Sequence, residues 1–390
     1  MARGEVFTDR IQRIVAGGAG IARPAGKSVF IELTAPGDMV RFKIIKEHKT
    51  WAEAELLEIQ EPSPFRVSPQ CPLYGNCGGC SLQHLRYGAQ MEAKTTILRD
   101  AFIRIGGFTP PPIRARACAP FEYRNRVQFH KRPYAAGALA CGFMGRKSSR
   151  FVPVGDCPVA ESGIRSALKE GKLKGPDKNR FTVYSSGKTF LLEGETEKGH
   201  VSILDKKLAM DVKVFFQSNA AMLELLISDL LEAASGADKN LPLADIYCGV
   251  GTFAAFLGDA FPAIDLVEES KTALALAREN VRGKNISFYA NKDTDWIKTP
   301  DIQKNKTWGF MVLDPPREGL SGPFAQWLAG NGPCLAAYVS CDPATLARDS
   351  RILLEGGYTL KELTLYDFYP QTAHVESLAL FTREGTRHVR

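Results

Sequence analysis

The sequence predicts an α/β protein: a doubly wound, mostly parallel sheet over residues 216–390, preceded by a small β-barrel over 1–60 and a cysteine-bearing middle region over 61–215. Three observations carry this. From Gln217 onward, apolar β-type runs alternate with helical stretches, the signature of strands joined by crossover helices. The first sixty residues hold five short β-type runs divided by glycine turns. Between these regions lie Cys71, Cys77, Cys80 and Cys157, spaced C-x5-C-x2-C-(x76)-C.

Composition narrows the class. With 390 residues, 44% apolar and 24% charged, the chain can bury two or three cores. The opening "MARGEVFTDRIQRIV" has no apolar run suited to a signal peptide, and no later stretch approaches a membrane span. A reducing cytoplasm is therefore expected, with nine cysteines available as thiols. The net charge is +7, yet residues 61–155 alone carry 14 Lys/Arg against four acids. Aromatic and histidine side chains interleave with that charge in "FEYRNRVQFHKRPY", as a surface for a phosphate backbone and unstacked bases requires. A solvated basic face without a partner is the alternative.

Taken in order, "EVFTDRIQRIV", "GIARP", "SVFIEL", "DMVRFKII" and "TWAEAELLEI" supply the five strands of a closed barrel of the oligonucleotide-binding (OB) type. "EPSPFRVSPQCP" is a linker. "HLRYGAQMEAKTTILRDAFIRIGG" reads as one amphipathic helix stopped by Gly106-Gly107 and broken by "TPPP". Residues 113–215 are strand-rich, with a hairpin expected in "EGETEKGHVSIL". "QSNAAMLELLISDLLEAASG" opens the α/β part as a helix, and the closing runs "YTLKELTLYDFYP" and "HVESLALFTR" have no helix between them, so an antiparallel edge is expected. This is the pattern of the class I S-adenosylmethionine-dependent methyltransferase fold.

The cysteine run is too dense for a disulfide framework in a chain of this size. Its paired glycines let backbone N–H groups approach sulfur, as in a thiolate metal site. Cys157, in a short loop before Pro158, is the best fourth ligand. The spacing suits a [4Fe–4S] cluster, with a four-cysteine zinc site as the rival. The C-x3-C-x2-C spacing that leaves an iron open for radical chemistry is absent, so a structural or positioning role is expected.

Ligands of such sheets bind at the carboxyl ends of the strands. "DIYCGVGTF" runs a strand into a glycine loop, but Ala254 stands where the third glycine of a dinucleotide fingerprint would fall. S-adenosylmethionine is therefore favoured over a pyrophosphate cofactor. The next strand ends at Glu268, expected to accept the ribose hydroxyls in preference to its neighbour Glu269. "LDPPREGL" places Asp314 at another strand end. "SCDPATLARD" places Cys341 before a helix that Asp342 would cap, where the helix dipole is expected to favour a thiolate nucleophile. A lone strand-end cysteine is more often a small buried hydrophobe, the reading kept for Cys118, Cys141, Cys248 and Cys334. A nucleophile of its own is what a methyltransferase needs for carbon 5 of a pyrimidine, because only addition at carbon 6 makes that carbon nucleophilic. A base must then remove the carbon-5 proton. Glu376 in "HVESLALF" is the candidate, His374 the competitor, and an ordinary surface strand residue the bland alternative.

These motifs resemble the bacterial RNA 5-methyluridine methyltransferases, specifically the ribosomal RNA branch with an N-terminal TRAM barrel and a [4Fe–4S] cluster. The likeness runs through "VFIELTAPGDMV", "CPLYGNCGGCSLQHLRYGAQ", "EYRNRVQFH", "VGDCPV", "FFQSNA", "DIYCGVGTF", "LDPPREGL", "SCDPATLARD" and "HVESLALF". It implies that Cys71, Cys77, Cys80 and Cys157 ligate the cluster. It further implies that Gln217, Tyr247, Glu268 and Asp314 line the S-adenosylmethionine pocket, with Cys341 as nucleophile and Glu376 as base. A residue after the third strand also touches the adenine in relatives; Asn291 and Asp293 both qualify. The family fold leaves room for residues 84–112 to belong structurally with the C-terminal part. RNA, specifically 23S ribosomal RNA, is the implied partner and a monomer the expected state. Transfer RNA stays open, because archaeal-type relatives combine both additions with that target. A catalytically silent RNA-binding protein and a small-molecule C-methyltransferase are the competing classes.

Overall fold

The computed structural model describes residues 1–133, 139–283, 285–304 and 306–384; Tyr134, which ends the aromatic-basic run, lies outside them. Six strands, rather than five, form the N-terminal sheet: β1 (Val6–Arg10), β2 (Arg13–Ile14), β3 (Gly20–Ala22), β4 (Ser28–Ile31), β5 (Met39–Glu47) and β6 (Trp51–Glu61), in the order β1-β5-β6-β4-β3-β2. The extra strand comes from the first run, which breaks at Ile11-Gln12. There the Ile11 N–H donates to Asp38 and the Gln12 N–H to Ile21, so the chain passes from β5 to β3 and closes the sheet on itself. Alternating Val29, Ile31, Val40, Phe42 and Ile44 fill its interior.

Helix α1 (Tyr87–Ala101) follows the cysteine run, begins three residues later than the pattern of "HLRYGAQ" suggests, and ends in a wider turn over Phe102–Gly106 that Gly107 closes in the left-handed region. Next come β7 (Ile113–Arg116), then β8 (Arg126–Pro133), β9 (Leu139–Met144), β10 (Phe151–Pro153), α2 (Ser162–Lys169), β11 (Arg180–Ser186) and β12 (Thr189–Leu192). The last five strands pair as β10-β9-β8-β11-β12, and α2 packs Ile164 and Leu168 onto Phe129 and Phe181. The expected hairpin is displaced: Leu192 bridges Thr196 across a turn, and β13 (Lys198–Ile203) pairs instead with β14 (Lys206–Asp211). Leu191, Val201 and Leu208 are buried in one core, and that burial selects this register over the more local one.

The remaining elements are α3 (Ala220–Ser235), β15 (Leu243–Ile246), α4 (Thr252–Leu257), β16 (Ile264–Val267), α5 (Lys271–Asn280), β17 (Ile286–Tyr289), α6 (Asp293–Trp296), α7 (Pro300–Gln303), β18 (Phe310–Leu313), α8 (Gly322–Asn331), β19 (Leu335–Ser340), α9 (Pro343–Glu355), β20 (Thr359–Tyr366) and β21 (Glu376–Thr382). They build an eight-stranded sheet, β17-β16-β15-β18-β19-β21-β20-β7. Strands β15 to β19 are parallel, while β21 runs antiparallel to both β19 and β20. The continuous apolar runs of β15 and β18 follow from burial on both faces. Leu243, Phe310 and Val312 face a core with α3, α4 and α5; Ala244, Ile246, Met311 and Leu313 face one with α1, α8 and α9. Helix α1 is thus part of the α/β layer. It also sends Lys94 to Asp367, an ion pair with both side chains fully buried. Removing either partner would strand a charge, at a cost of about 3–5 kcal/mol.

Candidate active site

Parallel strands leave their carboxyl ends at one edge, and the loops there enclose a cleft of about 1400 Å³. After β15 the chain turns sharply: Tyr247, Gly249 and Gly251 all take positive φ, at 63°, 54° and 78°. A side chain on Gly251 would press on Val281 at 2.7 Å, so glycine is required for the loop to pack on α5. Just past β16, the Glu268 carboxylate accepts N–H groups from Gly249 (3.0 Å) and Ser270 (2.8 Å), which aims it at the glycine loop. Glu269 lies at the exposed rim of the same cleft, 3.9 Å from exposed Lys292. The Tyr247 hydroxyl donates to Asp293 at 2.7 Å, and Asp293 also accepts the Ser321 N–H at 3.1 Å. Gln217, Tyr247, Glu268, Asn291, Asp293 and Asp314 all line this cleft.

Its other end holds Cys341 and Glu376. The last register pair between antiparallel β19 and β21 is Ser340 with Ser377. One residue beyond that pair stands Cys341 on one side and Glu376 on the other, both on the cleft wall. Asp342 caps α9 by accepting the Ala344 and Thr345 N–H groups at 2.8 and 3.1 Å. The expected thiolate is not favoured. Burial, then the neighbouring Glu376 and Asp314 carboxyls, push the Cys341 thiol up to about 12, against a smaller opposing effect of Arg317. The helix terminus is already served by Asp342, so burial and then the acids decide. Burial pushes Asp314 up to about 7 and Glu376 well above the usual carboxylate range. His374 is pushed down to about 4 by burial and then by Arg317, whose guanidinium lies 3.3 Å from its Nδ1.

A second cavity, about 710 Å³, is lined by Cys71, Cys77, Cys80 and Cys157, together with Arg124, Gln128, His130, Arg146, Lys147 and Arg180. Cys77 pairs with Gly145 as an isolated bridge, and a side chain on Gly78 would meet the Met144 carbonyl at 3.0 Å, so Gly78 seats this loop against β9. Among the described residues, no three His, Cys, Asp or Glu side chains are grouped as the ligands of a single metal ion. Gly79, Arg124, Arg317, Cys341, Thr372 and His374 line both cavities, so the cysteine pocket opens onto the chemical end of the cleft.

Sequence reasoning passed over four residues here. Asp245 is fully buried beneath the glycine loop, accepts the Ala254 N–H at 3.0 Å through one oxygen, and is pushed up to about 8 by burial. Arg124 and Arg317 face both cavities, and the Phe215 ring stands exposed on the cleft wall. Arg317 and Phe215 each adjoin a residue already singled out, in "DPPR" and "FFQ", but adjacency alone does not say which way a side chain turns.

The sequence profile of the tRNA (uracil-5-)-methyltransferase family matches residues 178–384. An RNA methyltransferase of Treponema denticola is 33% identical over 92% of this chain and 94% of its own. The 23S rRNA (uracil(1939)-C(5))-methyltransferase of an Azoarcus species is 31% identical over 94% of this chain and 97% of its own. Among solved structures, the Pyrococcus abyssi tRNA (uracil-54, C5)-methyltransferase in complex with S-adenosyl-L-homocysteine superposes with a TM-score of 0.72 at 22% identity, over 96% of this chain and all of that one. With the cleft at the carboxyl edge of a class I methyltransferase sheet, these likenesses make the conclusion plain: the chain belongs to the RNA (uracil-5-)-methyltransferase family and is an S-adenosylmethionine-dependent enzyme.

Proposed function

We propose that this enzyme methylates carbon 5 of a uridine in 23S ribosomal RNA through a covalent adduct on Cys341. The observation that carries the reading is the meeting of Cys341 and Glu376 at adjoining ends of β19 and β21, in the cleft that also holds Glu268 and Asp314. The thiol of Cys341 gives its proton to solvent in the open cleft, and its sulfur bonds to carbon 6 as the C5–C6 π pair moves into an enolate over carbon 5, carbon 4 and oxygen 4. S-adenosylmethionine supplies the electrophilic methyl that carbon 5 takes up. Glu376, as a carboxylate, then removes the proton left on carbon 5; the C–H electron pair restores the ring double bond and the C6–S bond breaks, returning sulfur to Cys341.

The cofactor fits the residues present. Open space above Gly249 allows close backbone approach, Glu268 offers carboxylate oxygens beside it, and the acids of the cleft suit a sulfonium. Gln217, Tyr247, Glu268 and Asp314 would hold it, with Asn291 or Asp293 toward the adenine. The four cysteines fit a [4Fe–4S] cluster in donor type, and two distant segments bring them to the wall of one cavity. The cluster would brace the loop that carries them. Arg124, Arg146, Lys147 and Arg180 around that cavity suit a phosphate backbone, and the exposed Phe215 ring suits a stacked base. In this reading residues 1–60 are a TRAM barrel of the OB type, 61–215 the iron–sulfur and RNA-binding region apart from α1 and β7, which join the methyltransferase domain of 216–390, the whole acting as a cytoplasmic monomer. No helix among the described residues is long and apolar enough to cross a membrane.

The 23S rRNA assignment follows the Azoarcus relative, which matches this chain along nearly its whole length. Mapping 5-methyluridine in ribosomal and transfer RNA from a strain lacking the gene tests it. Loss of one 23S site, restored by the gene, is expected; loss from transfer RNA alone would overturn the substrate.

A further inference from the structure

The connector between β20 and β21, residues 367–375, carries Tyr369, Thr372 and His374 into the cleft and delivers Glu376. A nine-residue loop joining two strands would ordinarily be a loosely held element. This one is gripped along its length by the segment just after the cysteine run. The Ser81 and Leu82 N–H groups both donate to the Gln371 carbonyl at 2.9 Å, and the Ser81 hydroxyl accepts the Ala373 N–H at 2.9 Å. From α1, Gln90 makes a reciprocal pair with Gln371: its Nε2 donates to the Gln371 Oε1, and its Oε1 accepts the Gln371 N–H, each at 2.9 Å. Tyr87 and Lys94, on the same face of that helix, hold the Asp367 carboxylate, and Lys94 also donates to the Tyr369 carbonyl at 2.9 Å. Gln371 sits at φ 67°, a left-handed conformation that a non-glycine residue holds only when its surroundings impose it. Gly18 of the N-terminal barrel completes the junction: a side chain there would meet Ser81 at 3.0 Å and Ala373 at 3.2 Å.

We propose that Ser81 and Gln90 are positioning residues for the proton-removal step: they fix the backbone turn at Gln371 and Ala373, and thereby the aim of Glu376 at carbon 5. This rests on the assignment of Glu376 as the base. Neither residue touches Cys341 or the cofactor loop, so formation of the adduct is spared and its resolution is not. In this step the carbon-5 proton passes to the Glu376 carboxylate while the C6–S bond breaks, so misplacement of the carboxyl stalls the enzyme with RNA attached.

The test uses full-length enzyme and total RNA from a strain lacking the gene, tritiated at carbon 5 of uracil. Single-turnover reactions follow methyl incorporation into the RNA–protein adduct and release of tritium to water. For Gln90→Leu and Ser81→Ala, adduct formation should stay within about twofold of wild type while tritium release slows roughly tenfold or more. The ratio of the two rates is read per folded enzyme, so partial unfolding of Gln90→Leu does not imitate the effect, and Ser81→Ala removes a single hydrogen bond. Equal ratios in both variants and wild type would overturn the positioning role. Glu376→Gln, run alongside, separates the two claims: if it too releases tritium at the wild-type ratio, the base assignment itself falls, and the positioning role with it.

Discussion

At the glycine-loop end of the cleft, ligand-facing side chains are already tied to the protein: Glu268 to the Gly249 and Ser270 N–H groups, Tyr247 to Asp293, Asp293 to Ser321. At the chemical end, Cys341, Asp314 and Glu376 crowd together, each pushed toward its neutral form by burial. The first arrangement is preorganised, so it binds with little rearrangement. In the proposed reading the acids of the second ionise when a cation enters among them, so one cleft joins a preformed binding site to a chemical site whose charge its ligands complete.

The largest expected effect breaks the second end alone. Cys341→Ala should abolish turnover, by roughly a thousandfold or more, because the ring can no longer be activated at carbon 6. Affinity for S-adenosylmethionine should change no more than about twofold, since the glycine loop and Glu268 are untouched. Glu376→Gln should instead accumulate a covalent RNA–protein species on denaturing gels. If Cys341→Ala methylates RNA as wild type does, the covalent route is wrong.

A smaller effect sharpens the comparison through pH. Burial pushes Asp314 up to about 7 and Glu376 well above the usual carboxylate range, so both bind protons at mildly acid pH. A sulfonium bound among them favours the ionised forms, so binding releases protons. The sign follows: affinity for S-adenosylmethionine rises with pH up to the region of 7, by at most about tenfold per unit for each proton released, and flattens above the last of these titrations. Calorimetry in buffers of different ionisation enthalpy would count the protons. S-adenosylhomocysteine, whose sulfur is neutral, should show a weaker dependence, and Asp314→Asn should flatten the curve. A pH-independent affinity would mean that these acids do not face the sulfonium.

The unequal treatment of the two ends also explains what could be read in advance. The glycine loop was legible because positive φ at Gly249 and Gly251 is a local demand that a local motif satisfies. Cys341 and Glu376 stood out as strand-end residues, since alternation and a following Asp-Pro locate a strand end. The state of the thiol was not legible, because it depends on burial and then on Glu376 and Asp314, brought alongside by separate strands. The grip of Gln90 on Gln371 spans 281 positions, and no periodicity encodes so distant a pairing. The strand break at Ile11-Gln12 was hidden for another reason: no glycine or proline punctuates it, while the change of partner from β5 to β3 is a tertiary event.

The smallest effect tests whether the two ends are independent. Tyr247 occupies a left-handed turn, packs edge-on against Phe324 at 6.4 Å and spends its hydroxyl on Asp293. Tyr247→Phe keeps the ring and removes only that 2.7 Å hydrogen bond, leaving Asp293 with the Ser321 and Thr294 N–H groups. A single such bond to a carboxylate is worth about 1–2 kcal/mol, so KM for S-adenosylmethionine should rise by roughly five- to thirtyfold at most. With binding and chemistry separately built, kcat should stay within about twofold, because the contact is made equally in the ground and transition states. If kcat instead falls in step with affinity, the hydroxyl is aligning the methyl donor rather than merely holding it. The preorganised end would then be part of the chemistry.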